Sequence, residues 1–244
     1  MRFRPTFQNS TRNRFILLCS LIVFSSLVFA ISPMIKRYSI KPAIHYAISS
    51  KAALFDQLNL SNKGLSEQAF LYAVDGYDKL VRAGKLTDSR YLTIIDFSLS
   101  SAKKRMFIVD MKEGKLLYQC LVAHGKNSGK AYAQSFSNEN ESLQSSLGFY
   151  KTGGTYQGGN GLSLVLHGLE KGINDNAESR SVVLHGADYV SGALAEQQGF
   201  IGRSFGCPAV PRELAAPIIK TIKDGNCLFI YAPNKKYVKA SKII

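Results

Sequence analysis

Two residues between Ser181 and Pro211 are of the types that nucleophilic chemistry needs: an imidazole at His185 and a thiol at Cys207. A strand-like apolar run, Val182-Val183-Leu184, delivers His185 to Gly186, and a second glycine-flanked segment presents Ser204 and Cys207. Glycine beside each group lets backbone approach closely. A free thiol titrates around 8.5, so little of it is thiolate at neutral pH, and a neighbouring imidazolium lowers that value enough to populate an ion pair. The pattern therefore predicts a cysteine nucleophile with His185 as partner and base. Backbone N–H groups at Gly206 and Cys207 would face the oxyanion formed when sulfur attacks a carbonyl carbon. A lone Cys and a lone His that have nothing to do with each other is the bland alternative, and these two residues by themselves leave it open.

The remaining polar candidates each carry two readings. His124 and His167 precede glycine as His185 does, and each is either a lining residue of a substrate cleft or a hydrogen-bonded structural histidine. Three such histidines with Cys207 invite zinc, yet no HExxH or CxxC spacing supports a site of three or four converging ligands, and no metal is expected. Arg203 and Arg180 are candidate grips for a substrate carboxylate, which a guanidinium holds bidentately; the alternative is an internal ion pair with Asp188 or Asp175. Tyr189 and Tyr156 serve equally well as cleft walls or as core.

Four ordered motifs carry a family resemblance: Ala123-His124-Gly125-Lys126-Asn127-Ser128-Gly129; Phe136-Ser137-Asn138; Gly168-Leu169-Glu170 through Asn174-Asp175-Asn176-Ala177; and Gly202-Arg203-Ser204-Phe205-Gly206-Cys207-Pro208-Ala209, preceded by Leu184-His185-Gly186. Together they resemble the murein L,D-transpeptidase catalytic domain, a YkuD-like family, over about Leu65 to Tyr231. The resemblance implies His185 as base, Cys207 as nucleophile and Ser204 as a residue that orients the histidine. It further implies binding of peptidoglycan stem peptides around Arg203, Gly206, His167, His124 and Arg180, no cofactor, and inhibition by carbapenems. Phe205 stands where the better-known branch carries a second histidine, and Pro208-Ala209 follow the cysteine where an apolar residue and then Arg or Asn are usual. A non-catalytic peptidoglycan-binding module that keeps the fold with a degenerate site is the alternative from another class.

The elements that must position these groups follow from periodicity. Phe70, Ala73, Val74, Tyr77, Leu80 and Val81 fall on one face of a helix over Ser66–Ala83, with Ser66 as cap, Leu65 stapled to Phe70 and Gly84 closing it. A short helix precedes it at Lys51–Gln57. The runs Leu92–Asp96, Arg105–Met111, Leu116–Val122, Gly148–Lys151, Ser163–Leu166, Ser181–Leu184 and Cys227–Tyr231 read as strands, and Arg212–Lys223 as one late helix near Pro217. The stretch from His124 to Leu147 is too long and polar for an ordinary turn and reads as a functional loop. The expected fold is mostly β (α+β): an L,D-transpeptidase-like sandwich or barrel at 89–244, behind a helical N-terminal subdomain at 51–88.

Residues 1–31 combine a basic flank, an apolar run at 15–31 and Val28-Phe29-Ala30, the pattern of a secretory signal or of an inner-membrane anchor. Export to the periplasm or cell envelope follows, with 32–50, including His45, as a spacer. Cys19 follows bulky Ile16-Leu17-Leu18, which argues against lipoprotein processing. A net charge of +14 suits an acidic polymer or an anionic surface, and without a zinc finger, an RNP-like motif or a concentrated basic helix no nucleic acid is expected. Cys120 and Cys227 lie in apolar runs and read as buried thiols rather than a disulfide. Oligomeric state has no sequence signal.

Overall fold

The computed structural model describes residues 50–244; the leader and most of the spacer, with Cys19 and His45, lie outside the described residues. Lys51–Ile244 forms one compact unit. Its centre is an eight-stranded sheet of β1 (Tyr91–Asp96), β2 (Met106–Asp110), β3 (Lys115–Cys120), β4 (Gly148–Gly158), β5 (Gly161–Gly168), β6 (Val183–Ala187), β7 (Ala209–Pro211) and β8 (Cys227–Tyr231). The spatial order is β3-β2-β1-β8-β4-β5-β6-β7, antiparallel except for the pairs β1–β8 and β6–β7. Just beyond β3, the Ala123 N–H donates to the Ala209 carbonyl on β7 at 2.8 Å, so the two edges of the sheet meet. A second bridge, Gly125 with Ser204, extends that seam and makes the sheet a nearly closed barrel. The fold is mostly β, as the alternating and β-branched runs lead one to expect.

Two strands run further than the apolar signal reaches. β4 and β5 continue into a hairpin around Gly158 and Gly161, where the outer part of β4 is exposed and therefore carries no apolar pattern to read. β7 is only three residues long and has no signal of its own.

Helix α1 spans 50–57. Helix α2 (Glu67–Arg82) begins where Ser66 Oγ accepts from the Ala69 N–H at 3.2 Å, and it buries Ala69, Phe70, Ala73, Val74 and Leu80 in the same core as β1 and β8. Val81, expected on that face, is exposed, and Tyr77 turns its hydroxyl to the Ser89 carbonyl. Helix α3 (Gly192–Gln198), capped by Ser191 and closed by Gly199 at φ +77°, lies in what the sequence presents as a plain loop. It buries no residue, and so leaves no periodic apolar trace. Helix α4 (Arg212–Ile222) buries Ala215, Ile218, Ile219 and Ile222 with Pro217 inside it, and α5 (Lys235–Ala240) closes the chain. Among the described residues no helix is long and apolar enough to cross a membrane.

Candidate active site

β6 and β7 bring the two reactive groups together. In the parallel β6–β7 ladder His185 is opposite Ala209, so Cys207, two residues earlier, arrives beside the same strand. Its Sγ accepts from the Val183 N–H at 3.4 Å, and its S–H faces the Ser181 carbonyl at 3.6 Å. His185 and Cys207 both line a pocket of about 200 Å³, together with Asn160, Tyr189, Arg203, Ser204 and Phe205. Larger cavities flank the C-terminal helix, but no cysteine or histidine lines them.

Glycine shapes both arms of the site. A Cβ on Gly186 would stand 2.9 Å from Ala215 Cβ and 3.2 Å from Arg212 Cα, so only glycine lets α4 close over β6. Its carbonyl accepts from His185 Nδ1 at 3.0 Å. A carbonyl can only accept, so the proton of the neutral ring sits on Nδ1 and Nε2 keeps a lone pair for a thiol proton. Gly206 has φ +131°, and a Cβ there would lie 2.9 Å from the Gln144 carbonyl oxygen, with Arg180 Nη2 at 3.5 Å behind it.

Ser204 acts on the loop rather than on the histidine. Its hydroxyl donates to the Cys207 carbonyl at 2.6 Å and accepts from the Gly206 N–H at 3.0 Å, closing a tight turn around the sulfur. Orientation of the imidazole therefore falls to Gly186, not to Ser204. The same bond engages the Gly206 N–H, which is thus not a donor for an oxyanion. The loop's remaining donor beside the sulfur is the Cys207 N–H.

Burial works against the expected thiolate–imidazolium ion pair. Burial lowers the pKa of His185, with a further push from the Arg212 charge, and the Gly186 carbonyl only partly opposes them. Burial raises the pKa of Cys207, with the Val183 N–H and the Arg180 charge acting against it. Desolvation disfavours the charged form of each group and so favours the neutral thiol and the neutral imidazole. Cys120 and Cys227 are buried and unpaired among the described cysteines, and burial pushes the Cys120 thiol up to about 12. Cys207 is the most accessible of the three.

The other candidates separate cleanly. Arg203 lines the pocket, and its Nη1 donates to the Lys126 and Gly129 carbonyls at 3.1 Å each, while Nε and Nη2 have no partner among the described residues. Arg180 does not offer a fork to substrate: its Nη1 donates to the Ser137 carbonyl and Ser146 Oγ, and its Nη2 to Ser142 Oγ and the Gln144 carbonyl. Neither arginine forms the internal ion pair considered for it. Asp188 pairs with Arg212 at 2.9 Å, and Asp175 accepts from the Gly172 N–H and from Asn138. His167 stands outside the pocket, with Nδ1 2.9 Å from Glu178 Oε2.

His124 is a structural residue, not a wall of the cleft. It is fully buried, receives a bond from Arg105 Nη2 at 2.7 Å on Nδ1, and gives one from Nε2 to the Gly129 carbonyl at 3.2 Å. Burial and the Arg105 charge lower its pKa to about 4. Sequence reasoning passed over Arg105, itself fully buried and bonded to the Val122 and Leu99 carbonyls. A charged residue opening an apolar run was its only signal. Asn160 of the β4–β5 hairpin also went unread, because a polar residue in a glycine-rich turn looks like turn chemistry and nothing more.

The motifs outside the pocket build its support. Asn138 bonds Asp175 and both the backbone and the side chain of Asn176, tying Phe136-Ser137-Asn138 to the segment after Glu170. Asn174 donates to the Leu147 and Phe149 carbonyls, and Glu170 accepts from the Phe149 N–H and from Tyr237. Phe205, in the position of the absent histidine, is 72% exposed, with Lys126 Nζ 4.8 Å above its ring. Among the described residues no group of three or more His, Cys, Asp or Glu side chains could hold a metal ion.

Comparison with known proteins places the chain. Similar solved structures include an L,D-transpeptidase from Mycobacterium smegmatis (14% identity, 59% of each chain, TM-score 0.37). They also include the helical cell shape determining protein Pgp2 from Campylobacter jejuni (13% identity, 62% of this chain and 49% of that one, TM-score 0.39). A third is L,D-transpeptidase 1 of Mycobacterium tuberculosis (11% identity, 59% of this chain and 62% of that one, TM-score 0.33). The chain thus spans between half and three-fifths of the length of these proteins. No curated protein sequence matches it. The family model described as L,D-transpeptidase catalytic domain matches residues 61–231, more than two thirds of the sequence and all four of its motifs, and the chain belongs to that family.

Proposed function

We propose that the protein is an exported cysteine L,D-transpeptidase acting on peptidoglycan stem peptides. The observation that carries this is the shared pocket: a half-buried thiol and an imidazole whose Nε2 is left as acceptor, with a basic side chain at the rim. The Cys207 S–H gives its proton to His185 Nε2 as sulfur attacks the carbonyl of the L-centre residue that precedes the terminal D-residue of a donor stem. The C–N bond then breaks, protonated His185 returns the proton to the departing amine, and a thioester remains on Cys207. An amine of a neighbouring stem, deprotonated by the same imidazole, attacks that thioester and releases the sulfur; water in its place makes the enzyme an L,D-carboxypeptidase. The free edge of the Arg203 guanidinium suits a stem carboxylate. The basic leader and the apolar run at 15–31 support export, with or without retention in the inner membrane.

A carbapenem acylates a thiol irreversibly enough to be weighed. Intact mass of the purified protein should rise by one adduct, and Cys207→Ala should gain none; equal labelling of both would remove Cys207 from the mechanism. Incubation with defined tetrapeptide muropeptides should release the terminal D-residue. Binding without that release would instead make the protein a wall-binding module.

A further inference from the structure

Arg180 is a half-buried cation with no carboxylate in ion-pair contact among the described residues. Arg90, Arg212 and Lys51 do have such partners, in Asp110, Asp188 and Asp75, whereas the fully buried Arg105 shares the lack but bonds Val122, Leu99 and His124. The four N–H groups of its two Nη atoms all go to neutral acceptors contributed by Ser137, Ser142, Gln144 and Ser146. The four Nη donors are thus met by neutral groups, and Glu139 is the one carboxylate that acts on the charge, without an ion-pair contact; a desolvated charge so weakly compensated is unfavourable unless an anion appears nearby.

Arg180 stands directly behind the loop that carries the sulfur. Arg180 Nη2 lies 3.5 Å from the point a Cβ of Gly206 would occupy, one residue from the sulfur. The segment that holds the guanidinium also holds the cysteine loop: the Gln144 carbonyl accepts from Nη2, and the adjacent Ser145 hydroxyl donates to the Gly206 carbonyl at 3.0 Å. Ser145 is anchored in turn by its N–H to Ser128 Oγ at 2.9 Å. The pocket's other ionisable groups do not supply this charge. Burial disfavours a charge on His185, and Arg203, which lines the pocket, is tied by its Nη1 to the Lys126 and Gly129 carbonyls.

We propose that Arg180 is a positioning residue whose fixed positive charge, held behind Gly206, stabilises the Cys207 thiolate and so takes over the part of the imidazolium that burial disfavours. This rests on Cys207 as the nucleophile, but the charge acts on the thiol whether or not the substrate is a stem peptide. The mutual influence of the two groups runs in the expected sense, with Arg180 favouring the thiolate and Cys207 favouring the charged guanidinium.

The test is the pH dependence of alkylation of Cys207 by iodoacetamide in the full chain, with Cys207→Ala as the blank for Cys19, Cys120 and Cys227. An opposite charge within about 4–6 Å moves a pKa by about one unit or more. Arg180→Gln should therefore shift the profile upward by about one pH unit and slow alkylation roughly tenfold at pH 7.5, whereas Arg180→Lys should stay close to wild type. Ser142→Asp keeps the arginine and gives it a carboxylate, so it should shift the profile in the same direction as Arg180→Gln, with Ser142→Asn unmoved; this pair decides the matter if Arg180→Gln does not fold. An unshifted profile in the neutralising variants, or equal shifts in Arg180→Lys and Arg180→Gln, would overturn the proposal. Because no wall peptide is used, failure here is distinct from failure of the carbapenem adduct at Cys207.

Discussion

At the scale of single residues, burial works against charge on both the imidazole and the thiol of the pocket. The His185 proton sits on Nδ1 against the Gly186 carbonyl, and the buried ring resists a second proton. The sign of the pH dependence follows. Protonation of Nε2 abolishes the base, and burial moves that event below the ordinary value of 6.5, so acylation should hold its rate on acidification to pH 6.5 and fall only beyond it. On the alkaline side, the thiol ionises above its ordinary 9.0, leaving a broad plateau between the two limbs. Stopped-flow acylation by a carbapenem across pH 4.5–10 would read both limbs, and an acid limb centred above 6.5 would contradict a buried, neutral base. On this plateau His185→Gln should lower the acylation rate by about two to four orders of magnitude, the usual worth of a positioned general base. The thiol and the imidazole were legible in the sequence because their types are rare and their flanking glycines specific. Ser204, Gly206 and Arg180 could be picked out in the sequence, but the bonds they make could not, since which N–H or carbonyl a side chain meets is decided by loop geometry that no spacing encodes.

At the scale of elements, the pocket is only as firm as the loop from Ala123 to Leu147. That loop has few apolar residues, and buried polar bonds hold it in place of a core: Arg105 to His124, His124 to Gly129, and Ser128 to Ser145. The His124 pKa falls from 6.5 to about 4, so between those values the unfolded chain binds a proton that the folded chain refuses. Stability is then complete above 6.5 and declines as the pH falls toward 4, by about 2 to 3 kcal/mol on going from pH 7 to pH 4.5. Urea unfolding at those two pH values should show that loss in the wild type and a smaller difference in His124→Asn; equal slopes would mean that His124 is protonated freely in the fold. The helices and strands that bury a periodic face, α2, α4, β1, β2 and β8, were readable from sequence to within a residue or two. α3, β7 and the outer half of the β4–β5 hairpin were not, because exposed or very short segments have no face for periodicity to mark. The polar loop could be recognised as special, while its buried Arg105–His124 pair could not, since burial of a charge is visible only once the chain has closed around it.

At the scale of the whole molecule, a net charge of +14 predisposes the protein to an acidic polymer independently of its pocket. Retention on isolated wall sacculi should fall steeply between 0.05 and 1 M salt, as the screening length drops to about 3 Å. It should be the same for Cys207→Ala as for wild type; salt-insensitive retention would place the affinity in the cleft instead. The overall architecture was legible as mostly β, but the closure of the sheet was not, because it depends on single contacts between distant segments rather than on any continuous run. That closure has one more consequence. Only isolated rungs at Ala123–Ala209 and Gly125–Ser204 clasp the two edges of the sheet, whereas full ladders join its other strands, and the nucleophile's loop hangs directly from the clasp. The circumference is therefore least continuous beside Cys207, where Ser204 belongs at once to the seam and to the turn around the sulfur.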